Sequence, residues 1–193
     1  MTDRRERILR VAEKLLCHYG VRKTTVHDIA RSAEIGVGTI YIEFSSKGAI
    51  LEELARARHA RVLTKMKDAA ETATDFEERF RAVMNARIDS FLEMSQTGEH
   101  ATELVHCSGC EAVEAAFEEF RARQRRYLTE FLESEARSES LAFSDPQLAA
   151  ETVLRAYSTF SPPEIYELDV EELERLRDAL HQMALRGLLR SSM

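Results

Sequence analysis

The densest group of side chains that could bind a metal or react lies between residues 100 and 110. It consists of His100, Glu103, His106, Cys107 and Cys110, and the two cysteines form a CxxC motif. A CxxC turn can supply two of the three or four ligands of a tetrahedral zinc site. The sequence has no second CxxC and no distant HxxxH to supply the others. We therefore expect a helix junction with incidental thiols and no metal or cofactor, and keep metal or thiol-redox sensing through Cys107 and Cys110 as the alternative.

A second group of chemically useful residues lies between Thr24 and Lys47, on two short predicted helices. Thr25 is followed three residues later by Asp28, a variant of the capping box that starts a helix at about Val26. Apolar residues then recur at helical spacing, at Val26, Ile29, Ala30 and Ala33. The spacing predicts a first helix with one face against a core.

The second helix of this pair is predicted from Val37 to Phe44, after a turn at residues 34–36 in which Gly36 is the N-cap. Its periodicity buries Ile40 and Phe44. The residues that it presents outward are Val37, Gly38, Thr39, Tyr41 and Ile42. Two short helices joined by a tight turn are typical of a helix-turn-helix, whose second helix can enter the major groove of DNA.

The outward residues suit the two kinds of contact that DNA offers. Hydroxyl groups and Lys47, which opens the next helix, can hold phosphates, because charge and helix dipole both favour an anion there. Gly38 lets the backbone approach the duplex, and apolar side chains can meet a thymine methyl. We predict DNA contacts at ten residues, namely Thr24, Thr25, His27, Gly36, Val37, Gly38, Thr39, Tyr41, Ile42 and Lys47.

Residues 5 to 55 resemble the DNA-binding signature of TetR-family transcriptional repressors. The resemblance rests on Thr24-Thr25, Asp28-Ile29-Ala30, Gly38-Thr39-Ile40-Tyr41, Phe44 and Ser46-Lys47. Glu34 stands where the family usually has a turn glycine, so we expect a left-handed backbone there at a cost of ~1 kcal/mol. Gly36 replaces the usual serine cap, and Ile42-Glu43 replaces a pair that is more often aromatic or His.

The resemblance implies an all-α fold with two domains. Residues 1–46 would form a three-helix helix-turn-helix DNA-binding domain, and residues 47–193 a helical ligand-binding and dimerisation domain. In the family the last two helices, here about 146–160 and 170–189, pair two copies of the chain. The interface residues that follow are Val153, Tyr157, Leu173, Leu176, Leu180 and Met183.

Cap residues and apolar stripes predict the other helix boundaries. The predicted helices run from near Asp3 to Gly20, Lys47 to Asp68, Thr74 (capping box with Glu77) to Ser95, Glu99 to His106, Gly109 to Arg137, Asp145-Pro146 to Phe160, and onward from Asp169. The helix that starts at Lys47 joins the reading helices to the remainder of the chain.

The helices of about 75–95 and 110–137 carry more large apolar and aromatic residues than a single helix–helix contact would bury. An apolar pocket between bundle helices is a common ligand site. We predict that a small apolar or amphipathic molecule binds near Met84, Ile88, Phe91, Phe117, Tyr127 and Phe131 and releases the DNA. The alternative is that these aromatics are plain core.

Charge and composition narrow the class of protein. The chain has 193 residues and a net charge of −7, but residues 1–60 hold 11 basic and 8 acidic residues and so carry +3. A mildly basic end on an acidic body is expected of a regulator with one DNA-facing end. Three cysteines and no apolar run near ~18 residues predict a cytoplasmic protein. The sequence shows no phosphate loop or nucleophile motif, so we expect that the protein is not an enzyme. A helical adaptor that does not bind DNA is a further alternative, but it would leave Thr25, Tyr41 and Lys47 without a function.

Overall fold

The computed structural model describes residues 2–136 and 141–189, and these residues are almost entirely helical. The α-helices are α1 (Thr2–Tyr19), α2 (Val26–Ser32), α3 (Val37–Glu43), α4 (Lys47–Ala70), α5 (Phe76–Ser95), α6 (Glu111–Glu135), α7 (Pro146–Ala156) and α8 (Val170–Leu188). Short 3₁₀ helices cover Ala101–Leu104, Ser158–Phe160 and Glu164–Glu167. Within the described ranges the only strand-like pairing is a single bridge between Leu141 and Leu189. The predicted all-α class is confirmed.

Most of the predicted helix boundaries are confirmed by observed caps. Gly20 follows the end of α1 with a φ of 86°, and the N-caps of the later helices are Thr25, Gly36, Ser46, Asp145 and Asp169. The Ser46 Oγ accepts a hydrogen bond from the amide of Ala49 at 3.1 Å. A side chain with a free acceptor therefore opens most of these helices, as the sequence indicates.

Several boundaries differ from the predictions, and the predicted helix from Glu99 to His106 is observed as the shorter 3₁₀ turn Ala101–Leu104. The carboxylate of Asp75, not the hydroxyl of Thr74, accepts from the amide of Glu78 at 2.9 Å, so α5 starts one residue later. Helix α7 ends at Ala156 rather than Phe160 because a 3₁₀ turn and the Pro162-Pro163 pair, which cannot continue a helix, follow it. The predicted end of α6 at Arg137 lies outside the described residues.

Packing divides the chain into two compact units, whose boundaries fall within α4, α5 and α6. The first unit comprises residues 1–61 and 92–120, and the second comprises residues 62–91 and 121–193. The predicted functional boundary after residue 46 stays a prediction.

Each unit has an apolar core of its own. The largest buried side chains of the first include Ile8, Leu16, Ile29, Ile40, Phe44 and Ile50. Those of the second include Phe80, Met84, Ile88, Phe91, Tyr157 and Phe160. None of the described helices is both long enough and apolar enough to cross a membrane.

Candidate nucleic-acid interface and regulatory region

The start of α2 is fixed by the capping box that the sequence predicts. The Thr25 hydroxyl accepts from the amide of Asp28 at 3.2 Å, and the Asp28 carboxylate accepts from the amide of Thr25 at 3.0 Å. Hydrogen bonds from Thr25 also lower the pKa of Asp28. Both Thr25 and His27 are exposed next to this cap, as a phosphate contact requires.

The turn between α2 and α3 has the strained residue that the sequence predicts. Glu34 has a φ of 51°, in the left-handed region, which is uncommon for a residue with a Cβ. The amide of Ile35 donates to the carbonyl of Ala30 at 3.0 Å and closes the end of α2. Gly36 then caps α3 with an ordinary φ of −69°, so its role here is not left-handed backbone.

Helix α3 buries one face and exposes a largely apolar one. Ile40 and Phe44 are buried, whereas Tyr41 is 53% exposed and Ile42 is 78% exposed. Gly38 is exposed, and a Cβ added there would meet no atom within 4 Å. Val37 and Thr39 are half-buried on the flanks of this surface. The second helix of the pair therefore presents side chains and open backbone to a partner.

The structure gives Thr24 and Lys47 partners inside the first unit. Thr24 is 2% exposed and its hydroxyl donates to the carbonyl of Gly20 at 2.9 Å, so Thr24 braces the turn and does not reach the exposed face. Lys47 lies in the first turn of α4, and its ammonium group donates to the carbonyl of Val21. The ammonium group has three donors, so two remain for other acceptors.

Acidic residues beside α3 are neutralised by arginines of α1, which sequence reasoning did not find. Arg4 lies 3.7 Å from Glu43, and Arg7 lies 3.4 Å from Glu34. Arg5 stacks on the ring of Phe44 at 4.1 Å, donates to the carbonyl of Glu43 and pairs with Glu53 of α4. The sequence does show several arginines near the start of α1 and acidic residues on either side of α3, but their spacing did not reveal that they pair.

The cluster of residues 100–110 packs against the end of α1. Glu103 accepts from the amide of Val21 at 2.7 Å, and its other oxygen lies 2.8 Å from Nδ1 of His100. Gly20 is held close to this pair, because a Cβ there would lie 3.1 Å from His100 Nδ1 and its φ is left-handed. His100 and Glu103 thus support the turn that holds Lys47.

The two half-buried cysteines, Cys107 and Cys110, show no metal-binding arrangement with the described residues. Among residues 2–136 and 141–189 no group of three or more His, Cys, Asp or Glu side chains could hold a metal ion. Burial and the neighbouring Cys110 and Glu103 raise the pKa of the Cys107 thiol, which disfavours the nucleophilic thiolate. The metal- or thiol-sensing alternative therefore finds no support here.

The residues predicted to bind a ligand are divided between the units. Met84, Ile88 and Phe91 are fully buried in the second unit, and Phe131 is nearly so. Tyr127 is half-buried there, donates to the carbonyl of Met66 at 3.0 Å, and has its pKa raised to about 12 by burial. Phe117 belongs to the first unit, where it packs with the rings of His59 and His106.

The residues predicted to pair two copies are partly buried within the chain. Tyr157 is fully buried, and Val153 and Leu173 nearly so, whereas Met183 is 70% exposed and Leu176 and Leu180 are half-buried. Helices α7 and α8 also enclose a groove of about 530 Å³ whose lining includes Leu148, Val153, Leu180, Met183 and Ala184.

A buried polar network in the second unit was not predicted. Nε2 of His181 lies 2.9 Å from Asn85 Oδ1, and its Nδ1 bonds with the Tyr157 hydroxyl. Because an amide oxygen only accepts, Nε2 of His181 carries a proton and donates it to Asn85 Oδ1. Burial, with Arg81 and Arg177 nearby, lowers the pKa of His181 to about 4.

Arg87 is the second buried polar feature of this unit. It donates to the carbonyl of Phe160 at 2.9 Å and to the hydroxyl of Ser161, and it stacks over the ring of Phe91 at 5.3 Å. Its Nε finds no hydrogen-bond partner among residues 2–136 and 141–189, and burial lowers the pKa of Arg87 to about 10. The spacing of Met84, Arg87, Ile88 and Phe91 is the signal that places an arginine on the core face.

Comparison with known proteins agrees with this geometry. Residues 8–54 match the profile of the family described as bacterial regulatory proteins, tetR family. The uncharacterized HTH-type transcriptional regulator YhgD of Bacillus subtilis is 25% identical over 158 residues, which cover 80% of this chain and 81% of that protein. The HTH-type transcriptional repressor KstR2 of Mycolicibacterium smegmatis is 31% identical over 88 residues, covering 46% of this chain and 43% of that protein.

The whole fold also has solved counterparts. A structure described as a SmeT–triclosan complex superposes with a TM-score of 0.73 at 18% identity and covers 98% of this chain and 93% of that one. At this identity the likeness shows the fold alone.

Proposed function

The chain belongs to the TetR family of helix-turn-helix transcriptional regulators, and we propose that it is a repressor released from its operator by a small apolar or amphipathic molecule. The observation that carries the DNA-reading part is the exposed surface of α3. Tyr41 and Ile42 stand open to solvent on a helix whose opposite face holds Ile40 and Phe44 in the core. Large apolar side chains exposed in this way need a partner, and a major groove supplies one.

Two sets of contacts divide the work of reading DNA. Thr25, Tyr41 and the remaining donors of Lys47 would bind phosphates and fix the register of the protein on the duplex. Val37, Gly38 and Ile42 would govern sequence preference through thymine methyls and close backbone approach. Thr24 and Gly36 would act through the turn and the cap that hold α3.

Binding to a pool of random duplexes, followed by sequencing of the selected sites, tests the DNA-reading part. Lys47→Ala should flatten the log–log salt dependence of affinity by ~1, because one phosphate contact is lost. Lys14→Ala, which removes an exposed lysine of α1 outside the predicted contacts, should leave the slope unchanged. Ile42→Ala should alter the selected sequence, whereas Val170→Ala, an exposed position of the second unit outside the α7–α8 groove, should not. Equal slopes, or equal sequence preferences, would remove Lys47 or Ile42 from the contact set.

A second copy of the chain is the proposed partner of the α7–α8 surface. Leu148 is 61% exposed and Met183 is 70% exposed beside the apolar groove, and two reading helices would need such a dimer to occupy successive half-sites. Tyr157 is buried, so the contact surface would centre on Leu148, Leu180 and Met183.

Sedimentation velocity tests the dimer. Met183→Glu should give monomers at micromolar concentration, because it places a charge in an apolar interface. Val170→Glu is the matched control, since Val170 is 76% exposed on the same helix but lies outside the groove lining. A wild-type monomer at this concentration would contradict the proposal.

The effector part of the proposal has support from the composition of the second unit and from the family. Buried aromatic and aliphatic residues of α5 and α6 are the type of lining that small-molecule sites use. The SmeT structure was solved with triclosan, a small molecule, bound. A ligand can release DNA only if it binds the DNA-free form more tightly.

A further inference from the structure

We propose that the effector of this protein is an anion, an amphipathic carboxylate whose head group pairs with Arg87 and whose chain follows Met84, Ile88 and Phe91. This inference rests on the proposed function and names the chemical class of its ligand. It starts from one anomaly, which is a buried cation that no acidic side chain of the described residues pairs with.

Arg87 occupies a core position in the helix. Met84, Arg87, Ile88 and Phe91 have the spacing i, i+3, i+4 and i+7, so they share one face of α5. Its three companions are fully buried, and Arg87 itself is only 3% exposed. An arginine at such a position is unusual, because burial of a charged group is strongly unfavourable unless it is paired.

The described residues supply Arg87 with dipoles but no carboxylate. A guanidinium has five N–H donors, and only two of them are used, by the carbonyl of Phe160 and the hydroxyl of Ser161. The Nε–H has no acceptor within the described residues. No acidic side chain in residues 2–136 or 141–189 forms an ion pair with it.

The unused donors define what would complete the site. A planar guanidinium with free N–H groups binds a carboxylate through two parallel hydrogen bonds. Met84, Ile88 and Phe91 on the same face of α5 are apolar, so the group attached to that carboxylate would be an alkyl or aryl chain. Such a ligand would supply the counter-charge that a neutral apolar molecule lacks.

Three probes of equal chain length test the head-group preference on the wild-type chain. We would measure the affinity and the change in melting temperature for decanoate, decan-1-ol and decyltrimethylammonium, all below their micelle concentrations. Decanoate should bind at least about tenfold more tightly than decan-1-ol, the equivalent of one charge-assisted hydrogen bond. Residues 61–193 contain 16 basic and 26 acidic residues, so nonspecific attraction would favour the cationic probe instead.

Substitutions then assign the preference to Arg87. Arg87→Met should remove the advantage of decanoate over decan-1-ol. Arg81→Met is the matched control, because Arg81 lies on the same helix but is paired with Glu77 at the surface, and this variant should keep the advantage. The wild-type ranking of the three probes decides the question even if Arg87→Met does not fold.

Release of a selected duplex by the same probes separates the two proposals. If decan-1-ol releases DNA as well as decanoate does, the carboxylate site is wrong and the ligand-responsive function stands. If decanoate keeps its advantage in Arg87→Met, the anion binds elsewhere and the assignment is also wrong. If no probe changes the melting temperature or the DNA affinity, both the carboxylate site and the apolar effector fail.

Discussion

Two buried arginines, Arg58 in the first unit and Arg87 in the second, show how differently the units hold a buried charge. Arg58 donates from Nε to the carboxylate of Glu13 at 3.0 Å, and its other nitrogens reach the Ala101 carbonyl at 3.2 Å and the Thr97 hydroxyl at 3.1 Å. Within the described residues Arg87 bonds to a carbonyl and a hydroxyl and stacks on the Phe91 ring. The buried charge of Arg58 is therefore paired with a carboxylate, whereas that of Arg87 meets only dipoles and an aromatic ring among the described residues.

The buried histidines of the two units show the opposite pattern. His59 of the first unit stacks on Phe120 with a centroid distance of 4.8 Å, and neither ring nitrogen reaches hydrogen-bond geometry, although the backbones of Val105 and Ala116 lie near it. His181 of the second unit is bonded at both nitrogens. His59 therefore serves as an aromatic core residue of the first unit. In the second unit, His181 connects α8 to α5 and to the end of α7 through hydrogen bonds.

The largest expected effect comes from the two arginines. Arg58→Met should lower the free energy of unfolding by about 3 kcal/mol, because it removes three hydrogen bonds and leaves the partly buried carboxylate of Glu13 with the longer, 3.9 Å contact to the exposed Arg61. Arg87→Met should cost less than half as much, since the loss of two hydrogen bonds is offset by removal of an uncompensated charge. Urea unfolding of both variants measures the difference. An Arg87→Met cost equal to that of Arg58→Met would mean that the charge of Arg87 is already compensated.

The histidines give a second, smaller contrast. His181→Phe should destabilise the chain by about 2 kcal/mol, because the Tyr157 hydroxyl and the Asn85 amide then stay buried without their partner. His59→Phe should change stability by less than about 1 kcal/mol, since it replaces one stacked ring by another of similar size. The same urea experiment ranks the pair, and the reverse order would contradict the assigned hydrogen bonds.

The histidines also set the acid side of the stability profile. Burial lowers the pKa of His59 to about 4 from its ordinary value of 6.5, so the unfolded chain binds the proton more tightly than the folded one. Stability is therefore fully present above pH 6.5 and is lost as the pH falls from 6.5 towards 4. Unfolding midpoints at pH 7.5 and 5.0 should differ less in His59→Phe than in wild type. An equal drop in both proteins would mean that His59 is not a buried neutral group.

The smallest effect is expected at the turn before α3. Glu34→Asn should stabilise the chain by about 0.5 kcal/mol, because asparagine enters the left-handed region more easily. The ion pair with Arg7 that it removes lies at the surface and contributes little. Glu34→Gln removes the same charge without the conformational benefit and is the control. A gain of the same size in Glu34→Gln would assign the effect to charge instead.

Local signals in the sequence predicted much of the helix-turn-helix formed by α2 and α3. The Thr25–Asp28 capping box and the burial of Ile40 and Phe44 depend on residues fewer than ten positions apart. The left-handed backbone at Glu34 was expected from the resemblance to the family, which usually has a glycine there. Helix caps and buried faces follow from the spacing of nearby residues, so the sequence alone is enough to predict them. The shift of the α5 cap from Thr74 to Asp75 shows the limit, because two adjacent residues can both cap a helix.

Contacts between distant parts of the chain were not predicted. Glu103 holds the turn at Val21, 82 positions earlier, and Arg87 reaches Phe160 and Ser161 more than 70 positions later. The sequence placed His100 and Glu103 in a possible metal cluster as an alternative only, and it could not predict their structural contacts because spacing does not show which backbone amide a carboxylate will meet. The buried state of Thr24 and Tyr157, both expected at binding surfaces, likewise depends on packing that only the fold determines.

The most direct test of ligand-controlled DNA binding is reciprocal titration. A selected duplex would be titrated with the protein with and without saturating decanoate, and decanoate would be titrated with and without the duplex. Coupling of ~1.4 kcal/mol predicts a tenfold loss of DNA affinity and an equal tenfold loss of decanoate affinity. DNA affinity that stays the same at saturating ligand, or a loss on one side without the other, would contradict the account.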